Sequence, residues 1–565
     1  MEFLDARRLT GPNLLLDEPA AVLDVGCTAR EAHRIGQRWR SKVAWMLRTL
    51  GWPATRFGEQ VLEGGASFAF AARIDTLYTA AEINEWAWAA VLADLEDAPV
   101  PDTEASLASI RNTQQNEANP RLLELQDAAE EHGITLLWDD DEVSLGLGRG
   151  ATVWPARQLP ETRQLDWQSF TDLPIGLVTG TNGKTTSVRL ASHILQGGGR
   201  NVGCSSTDWI AVNERILDRG DWSGPGGARA VLRQNDIDVA VLESARGGLV
   251  RRGLGVRRAD AALITNIAED HLGDFGSRNL DEILGIKWIT SRAVQEGGVL
   301  ILNADDTMLL GKAKSYPGRI TWFSLDADNP EIRRHVEAGG TAWLLDSHQL
   351  VRQCGSEREL LCADRDIPIT LGGRAKHNVA NALAAAALAN ALGATLGEIR
   401  HGLTSMSQDL NPGRCNVYEV GGRSILVDFA HNPHAMRALF DMAEALPARR
   451  RALCFGQAGD RPDSLIRAMT KDAFAIGLDK IYVSELKDYY RGRQPGEVYA
   501  VIRDELLRLG ATDSQIEHRD LETESLCAAL EWARDGDLVI MLALGESAKI
   551  IKIIQELGEP ISMTK

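Results

Sequence analysis

From Pro174 onward, short apolar bursts alternate with stretches of helical periodicity. "IGLVTG", "VAVLES", "AALITN" and "GVLILNADD" each run apolar and then end in polar or small residues. Parallel strands buried on both faces have this pattern, and they deliver functional groups at their carboxyl ends. A second series begins after Pro412 with "SILVDFAHNP", "RALCFGQAGD", "KIYVSEL" and "DLVIMLALGES". Between the two series, the alanine-rich "HNVANALAAAALANALGA" predicts a helix that closes a central domain. Ahead of Pro174 the pattern is less regular. "TAAEINEWAWAAVLADLE" predicts a helix: Thr79 and Glu82 have capping-box spacing, and Ile83, Trp86, Ala87, Ala90 and Val91 form its apolar stripe. Its tryptophans read as core rather than as a ligand platform. "EDAPVPDTEASLASIRNTQQNEANP", polar with three prolines, reads as a linker or exposed loop. "RLLELQDAAEEHG" predicts a helix stopped by Gly133, followed by the strand-like "ITLLW". The pattern predicts an α/β protein, with a small mixed domain over residues 1 to about 97, strands alternating with helices from Pro174, and a second alternating set after Pro412.

The bulk numbers add limits. A chain of 565 residues exceeds one hydrophobic core, in agreement with several domains. With 61 basic and 79 acidic residues the net charge is −18, which argues against a nucleic-acid partner and reads as solubility. Seven scattered cysteines, none in a CxxC pair, fit free thiols in a reducing cytoplasm. The start "MEFLDARRLTGPN" has no apolar signal core, and no run approaches ~18 apolar residues, so no membrane span is expected.

The most explicit chemistry lies in "GLVTGTNGKTTSVRL", a strand, a glycine-rich turn and a helix. Backbone N–H groups around Gly180, Thr181, Asn182 and Gly183 can surround phosphate oxygens, helped by the helix N-terminus. Lys184 supplies positive charge to the β and γ phosphates, Thr185 offers a hydroxyl to Mg²⁺, and Thr186 follows it. Val178 stands where the usual motif has its first glycine. Glu243 ends the strand in "VLESARGG", where a carboxylate holds Mg²⁺ directly or through water. His271 follows the next strand in "TNIAEDHLGDFG", and Lys287 lies on the helix beyond it. Singly, each of these residues is as readily structural. As an ordered set they point to metal-assisted nucleotide chemistry.

This set resembles the Mur ligase superfamily of ATP-dependent amide ligases. "TGTNGKTT", "TNIAEDHL", Lys287, "LNADD", "KHNVANALAA", "NPGR" and "VDFAHNP" occur in the family's order. The resemblance implies a small α+β N-terminal domain (1–165), the Mur ligase central ATPase domain with a mostly parallel sheet and flanking helices (166–411), and a C-terminal Rossmann-like lid domain (412–565). It also implies that ATP phosphorylates a carboxylate and an amine then attacks the acyl phosphate. Lys184, Thr185, Glu243 and His271 would position ATP and two Mg²⁺, with Thr185, Glu243 and His271 at the metals. Lys287 matches a lysine that many members carbamylate. Asn303, His377 and Asn378 would lie near the nucleotide, Arg414 at the domain junction, and Asp428 at the ribose. His431 would touch ATP or substrate, or else cap a helix in its "HNP" turn.

Further stretches resemble the ligase half of cyanophycin synthetases: "STDWIAVNERILDRGDWSGPGGARAVL", "VLESARGGLVRRGLG", "ITLGGRAKHNVANALAA", "GQAGDRPD" and "ELKDYYRGRQPGEV". "RRLTGPNLL" resembles the opening of those enzymes, and "HGITLLWDDDEVSLGLGRGATVW" the approach to their ATP-grasp domain. Only residues 155 to 173 separate that remnant from the phosphate loop, so no ATP-grasp domain is expected there. Thr207, Asp208, Arg246, His431, Arg461, Arg491 and Arg493 are the substrate candidates. The three last arginines grip a carboxylate or serve as surface ion-pair partners. Trp209 and Trp222 stand where smaller residues would be expected near the acceptor. The expected partners are small-molecule or peptide carboxylates and amines, and relatives suggest a dimer or tetramer. The alternative is a nucleotide-binding partner subunit without its own activity. A transport or signalling ATPase fits less well, because a Walker-B aspartate pair is missing and the lid is left unexplained.

Overall fold

The computed structural model describes residues 1–96, 98–270 and 279–560. Its central feature is an 11-stranded sheet. Seven strands run parallel in the order Val202–Ser205, Val239–Glu243, Ile175–Thr179, Ala259–Ile264, Val294–Asn303, Arg319–Ser324 and Thr341–Asp346. Antiparallel strands extend both edges, Trp209–Val212 and Arg215–Arg219 on one side, Gln349–Cys354 and Glu357–Ala363 on the other. The apolar bursts are parallel strands, as their composition requires, and every residue of Ile175–Thr179 and Val239–Glu243 is buried.

Strand order decides where a ligand can sit. Ile175–Thr179 lies between Val239–Glu243 and Ala259–Ile264, so the chain passes to one side of its first strand and later to the other. That is a topological switch point, and the crevice opens at the carboxyl end of the first strand. Register brings the functional ends level there: Glu243 pairs with Val178, and Ile264 with Thr179 and with Leu302. The alanine-rich stretch forms the helix Lys376–Ala391, with residues 382–389 at most 3% exposed. It packs on the phosphate-loop helix Lys184–Gly197 and across the sheet, so small side chains on all sides are a packing requirement.

The C-terminal part is a seven-stranded sheet. Its parallel core runs Ile516–Arg519, Lys480–Ser484, Arg451–Phe455, Leu538–Leu542 and Arg423–Asp428, with Asn416–Val420 antiparallel beside it. The N-terminal part has a four-stranded antiparallel sheet covered by the helices Ala29–Thr49 and Leu77–Glu96. All seven cysteines are free thiols. Among the described residues, no helix is long and apolar enough to cross a membrane.

Two expectations fail in the N-terminal part. Thr79 is not a cap, because its helix starts at Leu77. The Glu117 carboxylate instead accepts from the N–H groups of Tyr78 (2.7 Å) and Thr79 (2.8 Å) and from the Thr79 hydroxyl (2.8 Å), while Glu82 accepts from Thr113. The supposed linker contains the helix Thr103–Glu117, which delivers that carboxylate. Asp102 caps it by accepting from Glu104 and Ala105, a signal hidden among the prolines. Residues 155–173 hold only a strand end and two single 3₁₀ turns, Thr162–Gln164 and Trp167–Ser169.

Candidate functional site

A cavity of about 1310 Å³ opens at the switch point, between the central sheet and the C-terminal part. The turn at its floor is shaped by two glycines. Gly180 has φ +144° and Gly183 +82°. A Cβ would lie 1.8 Å from Thr265 Oγ1 at the first and 2.2 Å from Asn381 Oδ1 at the second. Both conformation and crowding therefore demand glycine. The neighbouring strand end "TNIA" braces the loop. Asn266 accepts from Thr181 N–H through its carbonyl and from Asn182 N–H through Oδ1, both at 2.9 Å. Thr265 Oγ1 donates to Asn182 O, and Ala268 N–H donates to Thr181 Oγ1. Lys184 Nζ donates to Thr181 O at 2.9 Å. Thr186 is held from behind by Asn411, whose amide donates to its hydroxyl at 3.3 Å.

Behind the loop lies Glu243, 2% exposed. Thr185 Oγ1 donates to its Oε2 at 2.9 Å, and Thr207 Oγ1 donates to its Oε1 at 2.7 Å. A carboxylate that accepts from two hydroxyls still has lone pairs to offer a hard cation. The donor chemistry of Thr185 and Glu243 therefore fits Mg²⁺. Among the described residues no three His, Cys, Asp or Glu side chains cluster into a complete metal cage. Mg²⁺ rarely requires one, since it keeps water and phosphate oxygens as ligands. His271, the third expected ligand, falls in 271–278, outside the described residues.

Lys287 closes the helix Leu280–Lys287 and donates from Nζ to Gly180 O at 2.8 Å. It is buried, and burial together with the nearby Lys184 pushes its amine well below the ordinary lysine value. Asn303 donates from Nδ2 to Thr265 O at 3.0 Å. His377, also facing the cavity, is pushed down to about 4 by burial and is a neutral imidazole at pH 7. Asn378 donates to Ile369 O and accepts from Asn381, which presses on Gly183.

The opposite wall comes from the C-terminal part. Asp428 ends its strand and accepts from Cys415 N–H at 2.7 Å, and burial holds its carboxyl above the usual range. Arg414 lies 4.4 Å over the Phe429 ring and 3.4 Å from Asp208, which also pairs with the buried Arg189. His431 donates from Nδ1 to Phe429 O at 3.0 Å and faces Asp270 at 3.6 Å. Thr207, Arg246, His431, Arg461 and Arg491 line the cavity. Arg491 is paired with Asp460. Arg493 is turned away: it donates to Gly459 O and Arg461 O and pairs with Asp463, so it holds the turn that carries Arg461. Asp208 likewise stays behind the wall as an anchor for Arg189 and Arg414. Neither tryptophan lines the cavity. Trp209 stacks under Arg189 at 4.0 Å, and Trp222 packs against the apolar core.

Sequence reasoning missed a contact across the two walls. The amides of Asn182 and Asn432 pair reciprocally at 2.9 and 3.3 Å, and Asn182 Nδ2 lies 3.0 Å from His434 Nδ1. Asn432 also caps the helix Pro433–Glu444 through Ala435 N–H. The "HNP" string carried the capping signal, but nothing local named Asn182 as the partner. Asn381 was detectable only as the residue three beyond Asn378 on one helix face.

Two family models match the chain: the Mur ligase middle domain over residues 178–389 and the Mur ligase glutamate ligase domain over 413–545. Cyanophycin synthetase of Synechocystis sp. is 36% identical over 380 residues, covering 64% of this chain and 43% of the relative. That of Trichormus variabilis is 34% identical over 385 residues, covering 67% and 42%. The chain thus spans less than half the length of these relatives. The UDP-N-acetylmuramoyl-tripeptide–D-alanyl-D-alanine ligase of Escherichia coli is 28% identical, covering 54% of this chain and 63% of that one. Among solved structures, E. coli FolC in complex with DHPP and ADP superposes with a TM-score of 0.50 at 20% identity, covering 68% of this chain and 89% of that one. The phosphate loop at the switch point, the facing C-terminal wall and the two domain models in sequence agree: this chain belongs to the Mur ligase family.

Proposed function

We propose that this chain is an ATP-dependent carboxylate–amine ligase that releases ADP and phosphate, acting on an amino acid or small peptide of the cyanophycin type. The observation that supports it best is the buried Glu243 carboxylate gathering the Thr185 and Thr207 hydroxyls directly beneath a phosphate loop. In this reading residues 1–165, 166–411 and 412–565 are the N-terminal, ATP-binding and lid domains.

The carboxylate oxygen attacks the γ-phosphorus, and the bond to the β-phosphate oxygen breaks. The amine nitrogen then attacks the acyl carbon, loses a proton, and phosphate leaves. Both partners of the first step are anionic, so cancelling charge is the main task. The loop N–H groups from Gly180 to Gly183 and the Lys184 ammonium hold the β and γ phosphates. Thr185, Glu243 and His271 would hold Mg²⁺, which when bound (two ions are expected) neutralises phosphate charge. Lys287, whose amine is pushed well below the ordinary lysine value by burial and the nearby Lys184, is the residue whose carbamate would add an anionic oxygen ligand. Asn303, His377 and Asn378 bound the nucleotide pocket, and Asp428 and Arg414 meet it from the lid. Arg246, Arg461, Arg491 and Thr207 face the space left for the two substrates, with His431 beside them. Closure through Asn182 and Asn432 excludes water from the acyl phosphate.

ADP release over paired acids and amines, with mass analysis of the products, tests this reading. ADP formed only when both substrates are present, with an amide product, supports it. ATP binding without any turnover favours an inactive partner subunit. Mass analysis of intact protein prepared in bicarbonate checks the Lys287 adduct, which should add the mass of one CO₂ and vanish in Lys287→Arg.

A further inference from the structure

The segment "TGPN" near the start has no place in the ligase chemistry, yet it is tied directly to the central domain. Thr10 N–H donates to Arg252 O at 2.7 Å, and Leu254 N–H donates to Pro12 O at 2.8 Å. Arg7 reaches Val250 O at 3.3 Å. The bonds from Thr10 and Arg7 satisfy carbonyls at the C-terminal end of the short helix Arg246–Arg252, which would otherwise be orphans, while the bond from Leu254 runs back to the N-terminal segment. Gly11 is pressed onto the same strip: a Cβ there would lie 2.3 Å from Leu254 O. Opposite it, Gly253 has φ +80°, and a Cβ there would meet Pro12 O at 2.8 Å.

The turn that makes this contact is rigid. Asn13 is 1% exposed. Its Oδ1 accepts from Leu15 and Leu16, and its Nδ2 donates to Gly11 O and Glu18 O. Beyond it, Leu14 packs against Gly285 on the helix Leu280–Lys287. Arg292, in the turn after that helix, donates to Leu14 O and pairs with Asp17 at 2.9 Å. One N-terminal segment therefore grips two helices that reach the cavity, one with Arg246 at the end far from the grip and the other with Lys287, two residues beyond Gly285.

We propose that residues 10–17 form a positioning clip by which the N-terminal domain sets the helices bearing Arg246 and Lys287. The clip touches neither nucleotide nor substrate and acts through those two side chains. Its kinetic consequence rests on the ligase reading, but its structural consequence does not. Hydrogen exchange of the full-length chain, read by mass spectrometry, separates the two. In Gly11→Val, amides of 246–254 and 280–292 should exchange about tenfold faster, while those of 184–197 and 376–391 keep their protection. Leu14→Ala should reproduce the effect at 280–292, and it decides the matter alone if Gly11→Val does not fold. Change confined to residues 1–145, or equal change everywhere, would overturn the clip. In an active preparation, the same variants should raise the KM of the carboxylate or amine severalfold and leave that of ATP in place. A wild type without turnover would count against the ligase reading only, since the exchange data stand independently.

Discussion

Lys287 is buried beside another lysine, with its amine donating to the Gly180 carbonyl of the phosphate loop. Its depressed titration has a direct thermodynamic consequence. Between the folded value and the ordinary 10.5 the unfolded chain binds the extra proton, so wild-type stability rises with pH through that window. In metal-free, bicarbonate-free buffer, the Tm of wild type minus that of Lys287→Met should therefore increase from pH 7 to 10, and a flat difference would contradict this. His377 gives the opposite end of the scale. Its folded value of about 4 against an ordinary 6.5 means stability present above pH 6.5 and lost as pH falls towards 4. His377→Phe should resist acid unfolding better than wild type in that window, as followed by circular dichroism. Glu243→Gln removes the charge and keeps an acceptor for one hydroxyl, while the other hydroxyl must turn and accept from the new amide. A drop in kcat of about a hundredfold or more is expected from losing one such electrostatic element, with the fold intact by thermal melting.

At the scale of elements, the pair Asn182–Asn432 joins the phosphate loop to the start of the helix Pro433–Glu444, and the two roles of Asn432 can be separated. Asn432→Asp retains a cap but loses the amide donor to Asn182. Asn432→Ala loses both and costs about 1 kcal/mol of stability. Both variants should raise the KM for ATP, whereas only alanine should lower the denaturation midpoint; equal destabilisation by both would reduce Asn432 to a cap. Legibility in the sequence divides along similar lines. The parallel strands could be read because burial on both faces leaves an unbroken apolar run, and the phosphate loop because its glycines answer to backbone geometry. The helix Thr103–Glu117 could not, since a single buried Ile110 anchors it and its apolar stripe is nearly absent. Arg493, whose ion-pair alternative the structure bears out, and Asp208 are hard to place from sequence for a related reason: residue type announces a charge but not whether another loop will claim it. Trp209 follows the same rule, for its partner Arg189 lies on a different element.

For the whole molecule, the sheet order sets one cavity at the switch point, the C-terminal part forms its facing wall, and the N-terminal part braces two of its helices from outside. Between Pro155 and Ile175 there is room for two single turns and no further domain. In the proposed reading the site at the switch point carries the acyl phosphate and makes a single ligation per ATP. The most direct test supplies an ¹⁸O-labelled carboxylate, drawn from the acid–amine screen, together with ATP and the amine. The account predicts inorganic phosphate carrying one ¹⁸O per amide formed, with ADP in equal amount. Unlabelled phosphate, or ADP released without the acid, would contradict it.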